Sequence, residues 1–276
     1  MSISGPTLSS DNVAIYVMSC DKTVDIAEHF LAAFAKYWPN CPYRIFFGVN
    51  SIKTHVDRIS AISLPSNSGN WKTESIQQLN YIKKNYGHIK YLLVFLDDFI
   101  INKYISNSEI DCAIRVASKN KLKYLRFRSL DECLVGRLWY KIKVAICKCQ
   151  YFEIRRSHPY YSSLQVALWD IEHISNMLNS TSDIWEFEKL RIFDVNHFSL
   201  PRSIISYKHV VEKGCWDIDA EWWCKKSIGF FNPGERERRR ISPFSRVKIK
   251  IKWVFFELFG YAPTRLKNYL FYRGVI

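Results

Sequence analysis

The chain has 276 residues, 48% of them hydrophobic and 16% aromatic, which is enough apolar material to close one large α/β core without covalent staples. Its 40 Lys and Arg outnumber 26 Asp and Glu for a net charge of +14, yet the stretch from Glu235 to Ile276 alone carries a net +8. A basic end on a near-ordinary body argues against a protein that coats nucleic acid over its whole surface; it points to a polyanion partner for the end only.

In chain order, Met1 to Asp11 is polar and has neither the basic nor the apolar part of a signal peptide. No run approaches the roughly 18 apolar residues needed to span a bilayer, so a cytoplasmic body is expected. Val13–Ser19 reads as an apolar strand closed by Cys20-Asp21-Lys22, and Asp25 to Tyr37 has helical periodicity that Trp38-Pro39-Asn40 stops. Strands are expected at Tyr43–Val49, ended by Asn50, and at Ile59–Leu64 before the turn-rich run from Pro65 to Asn70. Asn70 is placed as the N-cap of a helix reaching about Asn85. Tyr91–Leu96 is an uninterrupted apolar strand running straight into Asp97 and Asp98, followed by a helix near Ser108–Asn120 and a strand near Tyr124–Phe127. Ser162 to Leu178 reads as one helix, with Leu164, Leu168, Ile171, Ile174 and Leu178 at helical spacing and Gln165 and Trp169 on a shared face. Ile204–Val211 alternates weakly and contains His209.

Strands alternating with helices at this spacing imply a doubly wound, mainly parallel sheet, in which ligands bind beyond the carboxyl ends of the strands. Ser19, Asp21 and Lys22, then Asn50, then Asp97 and Asp98 all fall at such ends. The eight cysteines include no C-x-x-C pair and are scattered, which fits reduced thiols better than zinc or disulfides.

Asp97 and Asp98 sit inside so apolar a run that burying them unpaired would be costly. The bland reading is a strand end turning into solvent. The functional reading is a site for Mg²⁺ or Mn²⁺, hard cations that take carboxylate oxygens and leave positions for substrate phosphates. Adjacent strand residues point to opposite faces, so both can serve one ion only where the strand ends or bends.

Leu96-Asp97-Asp98-Phe99 resembles the acidic metal motif of GT-A glycosyltransferases, although the two acids here are adjacent, with no residue between them. With Val13-Ala14-Ile15-Tyr16-Val17 through Asp21, Tyr37-Trp38-Pro39, Gly69-Asn70-Trp71, Ser163 through Trp169, Trp185-Glu186-Phe187-Glu188 and Lys213-Gly214-Cys215-Trp216, the chain resembles small glycosyltransferases of bacterial O-antigen and capsule clusters over about residues 12–217. The resemblance implies a GT-A-like domain over residues 1–234 and a metal-dependent, inverting transfer from a nucleotide sugar, a UDP-sugar in the first instance, to a lipid-linked glycan. It implies that Ser19, Asp21 and Asn50 line the base and ribose pocket, with Asn70 and Trp71 near the donor. Asp98 is the stronger metal ligand, Asp97 a second ligand or a contact to the ribose, His209 a further ligand with His197 as its rival, and Lys213 a diphosphate contact. Gln165, Trp169 and Trp185 fall on the acceptor side. Glu188, with Glu186 second, takes the role of base for the acceptor hydroxyl, its pKa raised by aromatic neighbours. Asp21 as a helix cap, Trp71 as core and an exposed acidic turn at 186–188 are the structural alternatives.

Residues 235–276 combine Arg and Lys with Trp253, Phe255, Phe256 and Phe259. As a helix this segment suits the interface of an anionic inner membrane, giving a peripheral protein; an edge strand packed on the body is the alternative. No nucleic-acid-reading motif is present, so nucleic acid is not an expected partner. The competing functions are a metal-dependent nucleotidyltransferase, for which the loop after the first strand lacks the glycines, and a non-enzymatic basic module that binds nucleic acid or membrane.

Overall fold

The computed structural model describes residues 10–50, 61–65, 70–127, 151–154, 156, 161–183, 186–187, 195–200, 203–212 and 214–239. Its frame is an eight-stranded sheet. β1 (Val13–Met18) lies between β2 (Arg44–Phe47) and β4 (Tyr91–Leu96), and β3 (Ala61–Ser63) extends β2; all these pairings are parallel. Beyond β4 come β8 (Ala167–Asp170), β6 (Tyr124–Arg126), β9 (Phe198–Ser199) and β7 (Phe152–Glu153), with β8 antiparallel to both β4 and β6. The result is a mixed, mostly parallel α/β sheet flanked by helices, consistent with a Rossmann-like fold.

β1 reads as a continuous apolar run because both of its faces are covered. Val13, Ile15 and Val17 pack with Phe30 and Phe34 of α1 (Val24–Tyr37) and with Ile110 and Ile114 of α3 (Asn107–Lys119). Ala14, Tyr16 and Met18 face the other way, towards Leu79 and Ile82 of α2 (Trp71–Asn85) and Ile174 and Leu178 of α4 (Ile171–Asn179). Truncating a ring such as Phe30 to Ala would cost about 3–5 kcal/mol.

α1 is buried on a second side as well. Ile26 and Ala33 pack against Ile100 of β5 (Phe99–Ile101), against Val210 and Val211, and against Trp216 and Ala220. This smaller cluster belongs to a module made of β5 paired with β10 (Tyr207–His209), the ladder of β11 (Val211–Glu212), β12 (Cys215–Asp217) and β13 (Arg238–Arg239), and α5 (Ile218–Ile228). The chain after α5 returns over α1: Asn232 N–H donates to His29 Nε2 at 3.0 Å, and Trp216 Nε1–H donates to Pro233 O at 3.0 Å. Among the described residues no helix is long and apolar enough to cross a membrane.

The single helix expected from Ser162 to Leu178 is corrected by the structure. Val166 and Leu168 face the α1 side of the sheet while Ala167 and Trp169 face the α2 side, which is strand alternation. The helix begins only after Asp170, whose side chain accepts from His173 N–H at 3.0 Å as an N-cap. A strand apolar on both faces, abutting a helix, mimics helical spacing, and α5 was not anticipated at all.

Behind β8 lies a buried aromatic cluster. His197 stacks on Tyr161 at 4.4 Å between ring centroids and lies against Tyr124 and Trp169. Its Nδ1 faces Tyr161 O at 3.0 Å, so with Nδ1 protonated its Nε2 accepts from His173 Nε2–H at 2.9 Å. Burial lowers the pKa of His173 to about 4 and that of His197 to about 3, against an ordinary value of 6.5. The unfolded chain therefore binds more protons between pH 6.5 and these values, and the pair's contribution, complete above pH 6.5, is lost as pH falls through that window. A His173→Gln variant keeps a donor for His197 but cannot titrate at this position. Urea unfolding at pH 7.5 and pH 5 should show the variant gaining roughly 2 kcal/mol on the wild type at the lower pH; identical pH dependence in the two proteins would contradict the assignment.

Candidate functional site

The strand order sets the place of the site. The chain moves from β1 outward through β2 to β3, then crosses to the opposite side of β1 to lay down β4. The crevice beyond the carboxyl ends of β1 and β4 is thus a topological switch point, where open α/β sheets bind ligands. Ser19, Asp21, Asn50, Asp97 and Asp98 all lie at this edge.

The two aspartates occupy the turn between β4 and β5, and the chain changes sheets there. That bend sends their side chains to different partners. Asp97 is buried, and its Oδ2 accepts from Ser19 Oγ at 2.7 Å and from Thr23 Oγ1. Desolvation, then the adjacent Asp98, push its pKa up to about 7, while the Ser19 and Thr23 hydroxyls and Arg236 oppose the shift. Asp98 turns to the smaller module. Antiparallel pairing of β5 with β10 sets Phe99 opposite His209, and Val210 N–H donates to Asp98 O at 3.2 Å. The register brings His209 Nε2 to 2.7 Å from Asp98 Oδ2 across 111 positions of sequence. Asp98 Oδ1 is buried and accepts no hydrogen bond. A buried carboxylate oxygen left without a donor is an energetic cost that a cation would remove.

Asp98 and His209 offer the oxygen and nitrogen donors that a divalent transition metal accepts, so the residues present fit such an ion. Among the described residues no group of three or more His, Cys, Asp or Glu is placed to hold a metal. Substrate phosphates and water commonly complete such a shell.

Asp21 is exposed at the end of β1 and bound to the end of β2: its two carboxylate oxygens accept from Asn50 N–H at 2.9 Å and Asn50 Nδ2–H at 2.7 Å. The two strand ends approach so closely that a Cβ on Gly48 would lie 2.6 Å from Ser19 O and 2.7 Å from Gln78 Oε1. Gln78 is fully buried; its Oε1 accepts from Tyr16 O–H at 2.6 Å and its Nε2 donates to Pro65 O at 3.2 Å. Gly48 and Gln78 thereby fix the position of Ser19, and through it that of Asp97.

A cation completes the edge. Arg236 donates from Nε to Asp25 Oδ2 at 2.8 Å, from Nη2 to Asp25 Oδ1 at 3.0 Å and from Nη1 to Gly214 O at 3.0 Å. Its bond to Asp25, with the charges of Asp25, Asp97 and Asp98, holds the guanidinium still more firmly protonated. A surface cavity of about 570 Å³ opens on the Asp25 side of Arg236, lined by Lys22, Asp25, Gly214 and Arg236 among others, with neither Asp97 nor Asp98 in its lining.

The remaining sequence expectations divide. Asn70 is the N-cap of α2, its side chain accepting from Thr73 N–H at 3.1 Å. Trp71 is half-buried and packs edge-on against Phe187 at the margin of the core. Trp169 is fully buried against Tyr124 and Phe187, which corrects its placement on the acceptor side: no part of its ring is open to a ligand. Gln165 is half-buried in the loop before β8 and does not share a helical face with Trp169. The Glu186 carboxylate is exposed and accepts from Ser182 N–H; the Ser182 side chain, then its backbone N–H, lower its pKa, the opposite direction from that expected of a desolvated base. His197 is locked in its buried pair with His173, so His209 alone meets an aspartate. Trp185, Glu188 and Lys213 lie outside the described residues. Among the described cysteines Cys20, Cys41, Cys112, Cys215 and Cys224 are free thiols.

Thr23, Gly48, Gln78 and Arg236 were not singled out from the sequence. Gly48 carried a faint signal, being a glycine at the end of an apolar strand two positions before Asn50. Comparison with protein-family models and with curated protein sequences gave no match.

Asp97 supplies a test of this geometry. Because its folded pKa is raised, the folded state binds more protons than the unfolded between about pH 4 and about pH 7, so stability falls as pH rises through that window. An Asp97→Asn variant keeps an acceptor for Ser19 and Thr23 but carries no charge. It should exceed the wild type in stability by on the order of 1–3 kcal/mol at pH 8 and lose that advantage by pH 4. Thermal unfolding across this range checks the expectation; an advantage that grew towards acid would contradict it.

Proposed function

We propose that this chain is a metal-dependent glycosyltransferase of the GT-A type. It moves a sugar from a nucleotide-sugar donor, UDP-linked in the first instance, to a lipid-linked glycan of surface polysaccharide synthesis. The observation that carries the reading is the pairing of Asp98 with His209 at the switch point of the sheet, with Asp98 Oδ1 buried and unpartnered.

Asp98 and His209 would hold Mn²⁺ or Mg²⁺, which supplies charge neutralisation for a diphosphate leaving group. The protein's own groups do the rest. The Asp21 carboxylate, oriented by Asn50, accepts hydrogen bonds from ribose hydroxyls or a base N–H. Asp97 contacts the donor side through Ser19 and Thr23, and Arg236 sets positive charge beside the aspartates for the phosphates. The resemblance gives Lys213, which lies outside the described residues, the role of a further diphosphate contact. Inverting transfer assigns the acceptor proton to Glu188, with Glu186 second. Residues 235–276, of which 240–276 lie outside the described residues, act as a peripheral tether to the anionic inner membrane, where a lipid-linked acceptor resides.

Incubation with Mn²⁺ and a panel of nucleotide sugars tests the proposal. One donor should be bound and slowly hydrolysed. Asp98→Asn should reduce kcat/KM by about 100-fold or more, since it removes a ligand rather than a peripheral contact. Failure of every donor to bind, or an Asp98→Asn protein as active as the wild type, would sink the assignment.

A further inference from the structure

α5 has two unlike sides. Ala220, Trp223, Cys224 and Ile228 turn inward or pack on the cluster around Trp216. Trp222 turns outward and is 64% exposed, one of three large hydrophobic side chains among the described residues that stand in solvent; Tyr104, at 73%, is another. A tryptophan left in water on an otherwise well-packed helix is an apolar group whose ring meets one cation. Lys226 Nζ lies 4.7 Å from the Trp222 ring centroid. Lys225 and Arg238 both bind Glu221, at 2.8 Å and 2.9 Å, so the one acid is answered by two cations.

The patch continues towards Tyr104. Lys36 Nζ donates to Ser227 O near the end of α5 and lies 5.5 Å from the Tyr37 ring centroid; the Tyr37 ring in turn meets the Tyr104 ring at 5.5 Å. A connected series of contacts thus joins two exposed aromatics through lysines. The basic, aromatic segment of residues 235–276 includes β13, whose Arg238 is bound to this face. Exposed tryptophan and tyrosine beside lysine and arginine suit one environment well: the headgroup layer of an anionic bilayer, where rings enter the interface and cations meet phosphates.

We infer that the outer face of α5, with Trp222, Lys225 and Lys226 at its centre and Tyr104 at its rim, is a membrane-docking surface for anionic lipid. A docking face on the folded body would hold it on the bilayer in one orientation. The inference builds on the basic-tail reading and stands whether or not the chain transfers sugar.

The test uses the full chain and sedimentation with vesicles of phosphatidylcholine alone or mixed equally with phosphatidylglycerol. Wild type should partition onto the anionic vesicles only, and less so as salt rises. Lys225→Gln with Lys226→Gln should weaken that partition about fivefold for each lysine removed, and Trp222→Ser alone should weaken it further than charge accounts for. Thermal unfolding of each variant, matched to wild type, separates lost docking from lost folding, and Trp222→Ser provides the second readout should the double variant unfold. Unchanged partition in both variants would overturn the inference and leave the tail as sole anchor. Equal binding to neutral vesicles, or capture of an RNA in preference to anionic vesicles, would overturn it too. UDP binding measured on the same proteins keeps the two proposals apart, since its absence from wild type removes the transferase and not the docking face.

Discussion

One contact joins the two parts of this molecule at the place where chemistry is expected: Asp98 against His209. It exists because β4 ends at Leu96, the chain turns through two aspartates, and β5 pairs antiparallel with β10 in a register that sets Phe99 opposite His209. A slip of one residue in that pairing would send His209 to the other face. The register is held from below, where Ile100, Val210 and Val211 pack with Trp216 against α1. Burial of apolar side chains far from solvent therefore determines which nitrogen meets which carboxylate.

The same edge holds two carboxylates in costly surroundings. Asp97 is desolvated beside a second carboxylate, and Asp98 has an oxygen with no donor. Carboxylates arranged at a cost to stability are a usual mark of a site that serves a ligand, because packing alone would replace them. Hydroxyls of Ser19 and Thr23 and the charge of Arg236 moderate the cost without removing it. Arg236 arrives from the far end of the described chain, so the segment leading to the basic tail also contributes charge to the switch point.

Much of the frame was legible in the sequence because its signals are local. The run Tyr91–Leu96, the Asn70 cap of α2 and the stop after Tyr37 were placed to within a residue, and the clustering of polar residues at strand ends gave the site its location. The structure brings His209 and Asp98 together, a register that spacing could not supply. What failed depended on tertiary context. β8 and α4 together imitate one amphipathic helix, since a strand covered on both faces has no polar side to reveal it. Trp169 and Glu186 looked like ligand contacts by type and neighbourhood, and only packing shows one sealed in the core and the other open to water. Gln78 and Thr23 are ordinary polar residues until the fold sets them beside Tyr16 and Asp97.

Mn²⁺ bound in the presence of UDP and observed by electron paramagnetic resonance, on protein carrying ¹⁵N-histidine, tests the central claim most directly. Wild type is expected to bind the ion with UDP and to show hyperfine coupling to one histidine nitrogen, and His209→Gln should abolish that coupling while leaving the protein folded. No binding of ion and nucleotide together, or a histidine coupling that survives the loss of His209, would contradict the account.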